Sequence, residues 1–359
     1  MHDLVAAGFA THPKVGRMLA GAVRSGKVAH AYLFIGPTGV GKREAALAFG
    51  RLAGCHEPTE RDGVLAPCGI CPSCERPYAS DRHHDLMVID PQQKESRISM
   101  EGSASGKEVP LIDRLRAAQE YVSIRPIASR TKCLAVLALD LLQDVHMNAI
   151  LKTVEEPPAH ALVLLTASNA SGVLPTILSR CQRMDLPPAP VEAIVTALGR
   201  SDGAARRAAL LSGGRLTVAR RLLDAPELPE IEEGFRTLRH MALSDDPLQA
   251  LRAAELCRSL CLQWYEVLNR DEGEEGGTEE ERVRRSIEAV LFPLEAAIRD
   301  AYSHSLGAPE ASLLDLGDRI ATPSPGRAAA ALGRIGEAKR AIKGNANTRL
   351  ALEALFLAL

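Results

Sequence analysis

The sequence has 359 residues, of which 46% are hydrophobic and 3% aromatic, and it carries a formal net charge of −2. This length predicts two or three domains, and a composition rich in Ala and Leu but poor in aromatics favours helices over an all-β fold. Near-neutral charge excludes a protein that grips nucleic acid over its whole surface, though not a local basic patch, and no apolar stretch approaches the ~20 residues that cross a bilayer. Met1-His2-Asp3 has no basic-then-apolar leader, so the expected compartment is the cytoplasm. There, eight cysteines point to metal ligands or core thiols rather than disulfides.

Residues 12 to 29 predict an amphipathic helix, with Val15, Leu19, Ala22 and Val23 on one face and Lys14, Arg17, Arg24 and Lys27 elsewhere. A short apolar strand at 32–35 then runs into Gly36-Pro37-Thr38-Gly39-Val40-Gly41-Lys42-Arg43, followed by an alanine-rich helical pattern from Glu44 to Ala53. Strand, glycine-rich turn and helix form the context of a phosphate-binding P-loop. Gly36, Gly39 and Gly41 let the backbone wrap an anion around Thr38, the helix N-terminus adds its dipole, and Lys42 reaches for the terminal phosphates. The next position normally carries Ser or Thr to hold Mg²⁺; here it is Arg43.

Cys55 precedes Cys68-Gly69-Ile70-Cys71-Pro72-Ser73-Cys74. Three cysteines at this spacing, bounded by Gly and Pro, converge thiolates on one point, and Cys55 supplies the fourth ligand of a closed, structural Zn²⁺ site. The alternatives are His56 as fourth ligand, unmetallated thiols, or an iron–sulfur cluster. Residues 92 to 110 read as a polar surface loop. Residues 111 to 122 read as an amphipathic helix, with Leu111, Ile112, Leu115 and Ala118 inward and Arg114 and Arg116 outward.

The apolar run from Lys132 to Leu142 suits a buried parallel strand. In a P-loop ATPase the end of that strand carries acids that hold Mg²⁺ and activate water. Those places fall on Leu137 and Ala138, and Asp140, a few residues late, reads as a turn or capping residue rather than a metal ligand. Asn148 to Pro158 is a helix ended by its prolines, Ala161 to Asn169 a second buried strand, and Leu174 to Gln182 a short proline-started helix beside Arg180. Beyond Leu186 the β character ends. Residues 191–223 form a small helical unit broken at Ser212-Gly213-Gly214, residues 224–229 a linker, and 230–359 further helices with an acidic loop at 271–281. Cys257 and Cys261, one helical turn apart, read as core thiols.

Together and in this order, these motifs resemble the bacterial DNA polymerase III clamp-loader subunits, the delta-prime group most. The segments that carry the resemblance are Ala29 to Phe34 with the P-loop, the four cysteines, Asn148 to Pro158, Leu174 to Gln182 and Asn345 to Leu355. Ile112 to Arg116 leading into Tyr121-Val122 and Arg125-Pro126 adds to it. The resemblance implies an AAA+ P-loop core with a parallel sheet over 1–186, the cysteine module 55–74 inserted, a helical lid over 187–229, and an all-α collar over 230–359. It also implies gamma/tau ATPases and delta as partners in a hetero-pentamer. That assembly places a sliding clamp on primer–template DNA within the DNA polymerase III holoenzyme, a DNA-directed DNA polymerase, away from membranes. In the Ser179-Arg180-Cys181 motif, Arg180 is implied to be an arginine finger offered in trans to a neighbour's ATP.

The departures from the family's catalytic members are Arg43, Leu137 and Ala138, and the absence of a clear lid arginine, with Thr217 near that place and Arg220 the nearest substitute. They imply a subunit that does not hydrolyse ATP, although Lys42 and the loop amides leave ATP or ADP binding open. The alternative is an ATP-hydrolysing gamma/tau-type subunit. A third reading is a zinc-containing nucleic-acid-binding protein acting alone, which the net charge disfavours.

Overall fold

The computed structural model describes residues 9–61, 64–76, 78, 83–91, 110–242, 244, 246–269, 278–306 and 325–359. Residues 1–8, the polar stretch at 92–109 and the acidic stretch as far as 277 lie outside the described residues. Two compact units divide the chain between Ala197 and Leu198.

In the first unit α1 (Pro13–Arg24) precedes β1 (Ala31–Ile35), and α2 (Lys42–Gly54) follows it. A hairpin of β2 (Thr59–Arg61) and β3 (Val64–Ala66), the one-turn helix α3 (Pro72–Glu75) and β4 (Leu86–Ile89) come next. Then follow α4 (Leu111–Ser123), β5 (Lys132–Val136), α5 (Asp144–Glu155), β6 (Ala161–Ala167), α6 (Pro175–Leu178), β7 (Gln182–Asp185) and α7 (Val191–Leu198). The main sheet is parallel throughout, in the order β4-β5-β6-β1-β7. This is the α/β core that the apolar runs predict. Strands β1, β5 and β6 are buried at every position because both sheet faces are covered. Alternation sends Tyr32 and Phe34 into a cluster with Phe49 and Leu164, and Leu33 and Ile35 into a second with Leu115, Ile150 and Leu165.

Several boundaries differ from the sequence expectation, each for a local reason. Helix α1 stops at Arg24 rather than at 29, with Gly26 at φ 68 just beyond it. Strand β5 ends at Val136 instead of reaching Leu142. Ala138 takes φ 49 and gives its N–H to Thr166 Oγ1 at 2.9 Å, and Leu139–Leu141 then form a 3₁₀ turn. Arg114, expected outward, is buried; burial pushes its pKa down, and the charge of Asp90 at the end of β4 opposes that shift. Arg116 is exposed as expected and pairs with Asp113. Strand β7 escapes the sequence pattern because only Met184 of its residues is buried.

The second unit contains α8 (Gly203–Leu211), α9 (Leu216–Asp224), α10 (Leu228–Ala242), α11 (Pro247–Asn269), α12 (Glu279–Ser305), α13 (Pro325–Lys343) and α14 (Thr348–Ala358). Their apolar faces share one core, in which Trp264 meets Phe235 edge-on at 5.8 Å. The linker expected at 224–229 is shorter. Asp224 still belongs to α9 and Leu228 already opens α10, because Ala225 and Leu228 are buried in that core. Glu279, Glu280 and Glu281, expected in the acidic loop, instead form the first turn of α12, where carboxylates suit the positive end of a helix. Cys257 and Cys261 are core thiols, and Asn347 caps α14 by accepting the N–H of Leu350 at 3.0 Å.

A buried carboxylate organises the edge of the first unit. Asp85 is 0% exposed, accepts N–H groups from Ile127, Ala128 and Ser129 at 2.6–3.0 Å, and takes Lys132 Nζ at 3.1 Å. Lys132 also lies 4.2 Å from the centre of the Tyr121 ring. Burial pushes the Asp85 pKa up, but these donors override it and bring it below the ordinary 3.8. Removing the carboxylate strands a buried ammonium, so Asp85→Ala is expected to cost about 3–5 kcal/mol by chemical denaturation. Because the folded value is the lower one, the contribution is fully present above pH ~4 and is lost as the pH falls further. Asp85→Asn should flatten that acid limb. An unchanged acid limb would contradict the role.

Candidate functional site

Strand β1 delivers the chain to Gly36, whose N–H bonds Ala167 O at 3.2 Å. A Cβ at Gly36 would stand 2.1 Å from Leu186 O, so only glycine fits where the P-loop leaves the sheet. Gly39 and Gly41 take φ 82 and 103, and Val40, buried between them, pins the loop to the core. Thr38 is exposed at the tip. Helix α2 has no side-chain cap, so its first amides are left for an anion. Lys42 Nζ donates to Gly36 O at 2.6 Å and Pro37 O at 3.0 Å, closing the loop upon itself. Burial pushes its pKa down to about 8, with Asp140 and Glu44 opposing the shift.

The residues around this cradle do not fit Mg²⁺. Arg43 stands where a hydroxyl is needed and pairs with Asp90 at 3.0 Å, the side chains being 39% and 13% exposed. Leu137, in the place of the first acid, is 4% exposed and packs in the cluster that holds Val40 and Phe34. Ala138 spends its N–H on Thr166. Asp140 is the turn residue expected: its Oδ1 accepts the N–H of Ser168 at 2.8 Å, tying the end of β5 to that of β6. The sequence reading missed Asp90, although Leu86 to Ile89 followed by Asp90-Pro91 is itself a strand-and-turn signal.

The four cysteines do converge. The sulfurs of Cys55, Cys68, Cys71 and Cys74 lie within 4.8 Å of one another, with 4.0 Å between Cys55 and Cys71. A tetrahedral thiolate site with bonds of ~2.3 Å places its sulfurs ~3.8 Å apart, so the set is close to the spacing a metal ion needs. Cys55 ends α2, and Pro72 starts α3 between Cys71 and Cys74. Amides of Cys68 and Cys71 donate at 3.3 Å to the sulfurs of Cys55 and Cys68. Burial opposes ionisation of Cys68, but the N–H groups of Ile70 and Cys71 outweigh it and bring its pKa to about 7. His56 is turned away and bonds Ala128 O at 2.9 Å, so the group of four that could hold a metal ion is completed by Cys55. Ser73, bonded to Ser129 at 2.8 Å, and His56 attach the module to the turn that Asp85 shapes. Among the described residues no other such cluster forms.

Arg180 lies just past α6 and is 41% exposed. It pairs with Glu155, the last residue of α5, at 3.0 Å, and donates to Thr176 O at 3.0 Å and Ser179 Oγ at 3.3 Å. Glu155 was not singled out from sequence, although it lies in the Asn148–Pro158 segment. Cys181 packs against the core, and burial pushes its thiol up to about 12, so it serves as packing rather than as a nucleophile. Thr217 is half-buried and Arg220 exposed, both on α9. Elemental analysis of freshly purified chain is expected to find about one metal ion per chain, absent from a Cys71→Ser variant. Equal metal content in the variant would contradict the site.

The family model and the curated relatives agree on one group. The family model described as DNA polymerase III, delta subunit, matches residues 11–190. The DNA polymerase III subunit tau of Bacillus subtilis is 32% identical over 182 residues, 50% of this chain and 29% of that protein. The delta-prime subunit of the same organism is 29% identical over 221 residues, 62% of this chain and 60% of that protein. The chain thus spans less than two thirds of the relatives' own length. Among solved structures, a gamma subunit-related protein from Thermotoga maritima covers 94% of this chain and 97% of its own, at 15% identity and a TM-score of 0.42. The family match spans half of the sequence and contains the cradle, the cysteine cluster and Arg180, and on that ground the chain belongs to the DNA polymerase III delta-subunit family of clamp-loader proteins.

Proposed function

We propose that this chain is a delta-prime-type clamp-loader subunit that does not hydrolyse ATP and supplies Arg180 to ATP bound on a neighbouring subunit. In this reading residues 1–186 are the AAA+ core, 187–229 the lid and 230–359 the collar of a cytoplasmic hetero-pentamer with gamma/tau ATPases and delta. The assembly places a sliding clamp on primer–template DNA within the DNA polymerase III holoenzyme. The four thiols hold a structural Zn²⁺, which knits the end of α2 to α3 and leaves no open position for substrate.

The observation that carries this reading is the pairing of Arg43 with Asp90 beside the buried Leu137. Phosphoryl transfer depends on a metal ion to neutralise developing charge and on a group that orients the attacking water. At this cradle Leu137 and Ala138 stand where the acids for these roles belong, and the nearby carboxylates of Asp90 and Asp140 are engaged by Arg43 and by the Ser168 N–H. Arg180 supports the other half of the proposal, since it is 41% exposed and its ion pair is with Glu155, a surface carboxylate that another anion can replace. The intact Lys42 and the 32% identity to a tau subunit favour the ATP-hydrolysing alternative, and Arg43 and Leu137 weigh against it. The purified chain alone is expected to show no ATP turnover above background and to enter a defined hetero-oligomer with gamma/tau and delta subunits. Robust turnover abolished by Lys42→Ala would overturn the reading in favour of the alternative.

A further inference from the structure

The cradle has kept its anion-binding backbone and lost its metal ligands, and the residue that displaced the hydroxyl is itself a cation. We infer that this P-loop takes the polyphosphate of a nucleotide without a divalent metal ion, Arg43 leaving Asp90 to lie against the phosphates. The inference rests on reading the loop as a nucleotide site, and it is independent of whether Arg180 acts in trans.

Three features support it. First, Arg43 is the second residue of α2, adjacent to Lys42, so its guanidinium starts from the same uncapped first turn whose amides face an incoming anion. Guanidinium donors form a fork that matches phosphate oxygens two at a time. Second, release from Asp90 is eased on the side of Arg43, whose side chain is 39% exposed and open to water, while Asp90 is 13% exposed. Asp90 is not stranded when Arg43 leaves, since buried Arg114 on α4 stays within reach of its charge. Third, the two places where acids would coordinate Mg²⁺ are taken by Leu137 and Ala138, whose side chains offer no ligand atom in any rotamer. Leu137 is locked in the core, Ala138 has its N–H committed to Thr166, and Asp140 bonds the backbone of Ser168. A metal ion arriving with the nucleotide would also meet the Arg43 guanidinium, a like charge. Lys42 must release Gly36 O and Pro37 O to reach the phosphates, a rearrangement within one side chain.

The test is equilibrium binding of ADP and of ATP to the full-length chain by calorimetry, once in EDTA and once in excess Mg²⁺. The expected result is binding in EDTA, with affinity in Mg²⁺ no more than about twofold tighter. Arg43→Ala should weaken binding in EDTA about tenfold, with the melting temperature measured alongside to establish folding. Asp90→Asn, which removes the competing carboxylate, should tighten binding, a gain that misfolding cannot produce. Binding that requires Mg²⁺, no binding of either nucleotide, or an affinity indifferent to both substitutions would each overturn the inference. None of these outcomes bears on assembly with gamma/tau and delta subunits, so failure here is distinguishable from failure of the clamp-loader reading.

Discussion

Strand β1 is buried at every position and hydrogen-bonded along both edges, to β6 and to β7, so the chain leaving it has one exit. That exit passes Leu186 O so closely that no side chain fits at Gly36. The constraint fixes the loop from Gly36 to Gly41 and therefore the start of α2. With α2 placed, Lys42 and Arg43 must project from its first turn at the C-terminal end of the parallel strands. There they meet Asp90 from the end of β4 and Asp140 from the turn after β5. In parallel sheets this end is where ligands bind, because loops and helix N-termini gather there.

Charge at that end is balanced internally rather than left for a metal. Lys42 is satisfied by two carbonyls of its own loop and Arg43 by Asp90, while at the opposite end of the strands Arg180, just before β7, is paired with Glu155 at the end of α5. Each of these cations is at least partly exposed, and each partner is one that an anion of higher charge can replace. The buried pair of Asp85 and Lys132 is of another kind. Its carboxylate is spent on three backbone amides and an ammonium, and it serves the turn at 127–129 that carries the cysteine module. The same side-chain chemistry thus divides by burial into replaceable pairs at partly exposed positions and a fixed one at the turn that carries the four cysteines.

Features that depend on local chemistry were legible in the sequence. The glycine turn, the convergence of four cysteines, the proline-ended α5 and the proline-started α6 all follow from backbone rules that act within a few residues. What sequence concealed were partners far along the chain. Asp90 lies 47 positions from Arg43, in a strand of four residues. Glu155 lies in a helix whose prolines drew the reading to its end. Arg114 was expected outward because a charge on an amphipathic helix ordinarily is, and nothing local announces the carboxylate beside it. Asp85 was silent because its partners are backbone amides, which every sequence has. The shortened linker after Asp224 follows the same logic, since its polar and proline-rich look hides that Ala225 and Leu228 are needed by the helical core.

The central claim is that the chain's part in chemistry resides in Arg180 and not in its own cradle. The most direct test is ATP turnover by the reconstituted clamp loader carrying either Arg180→Ala or Lys42→Ala in this subunit alone. The account predicts that Arg180→Ala slows the site it faces by ~10³–10⁵, while Lys42→Ala leaves turnover unchanged. The reverse pattern, with turnover lost through Lys42 and indifferent to Arg180, would contradict it.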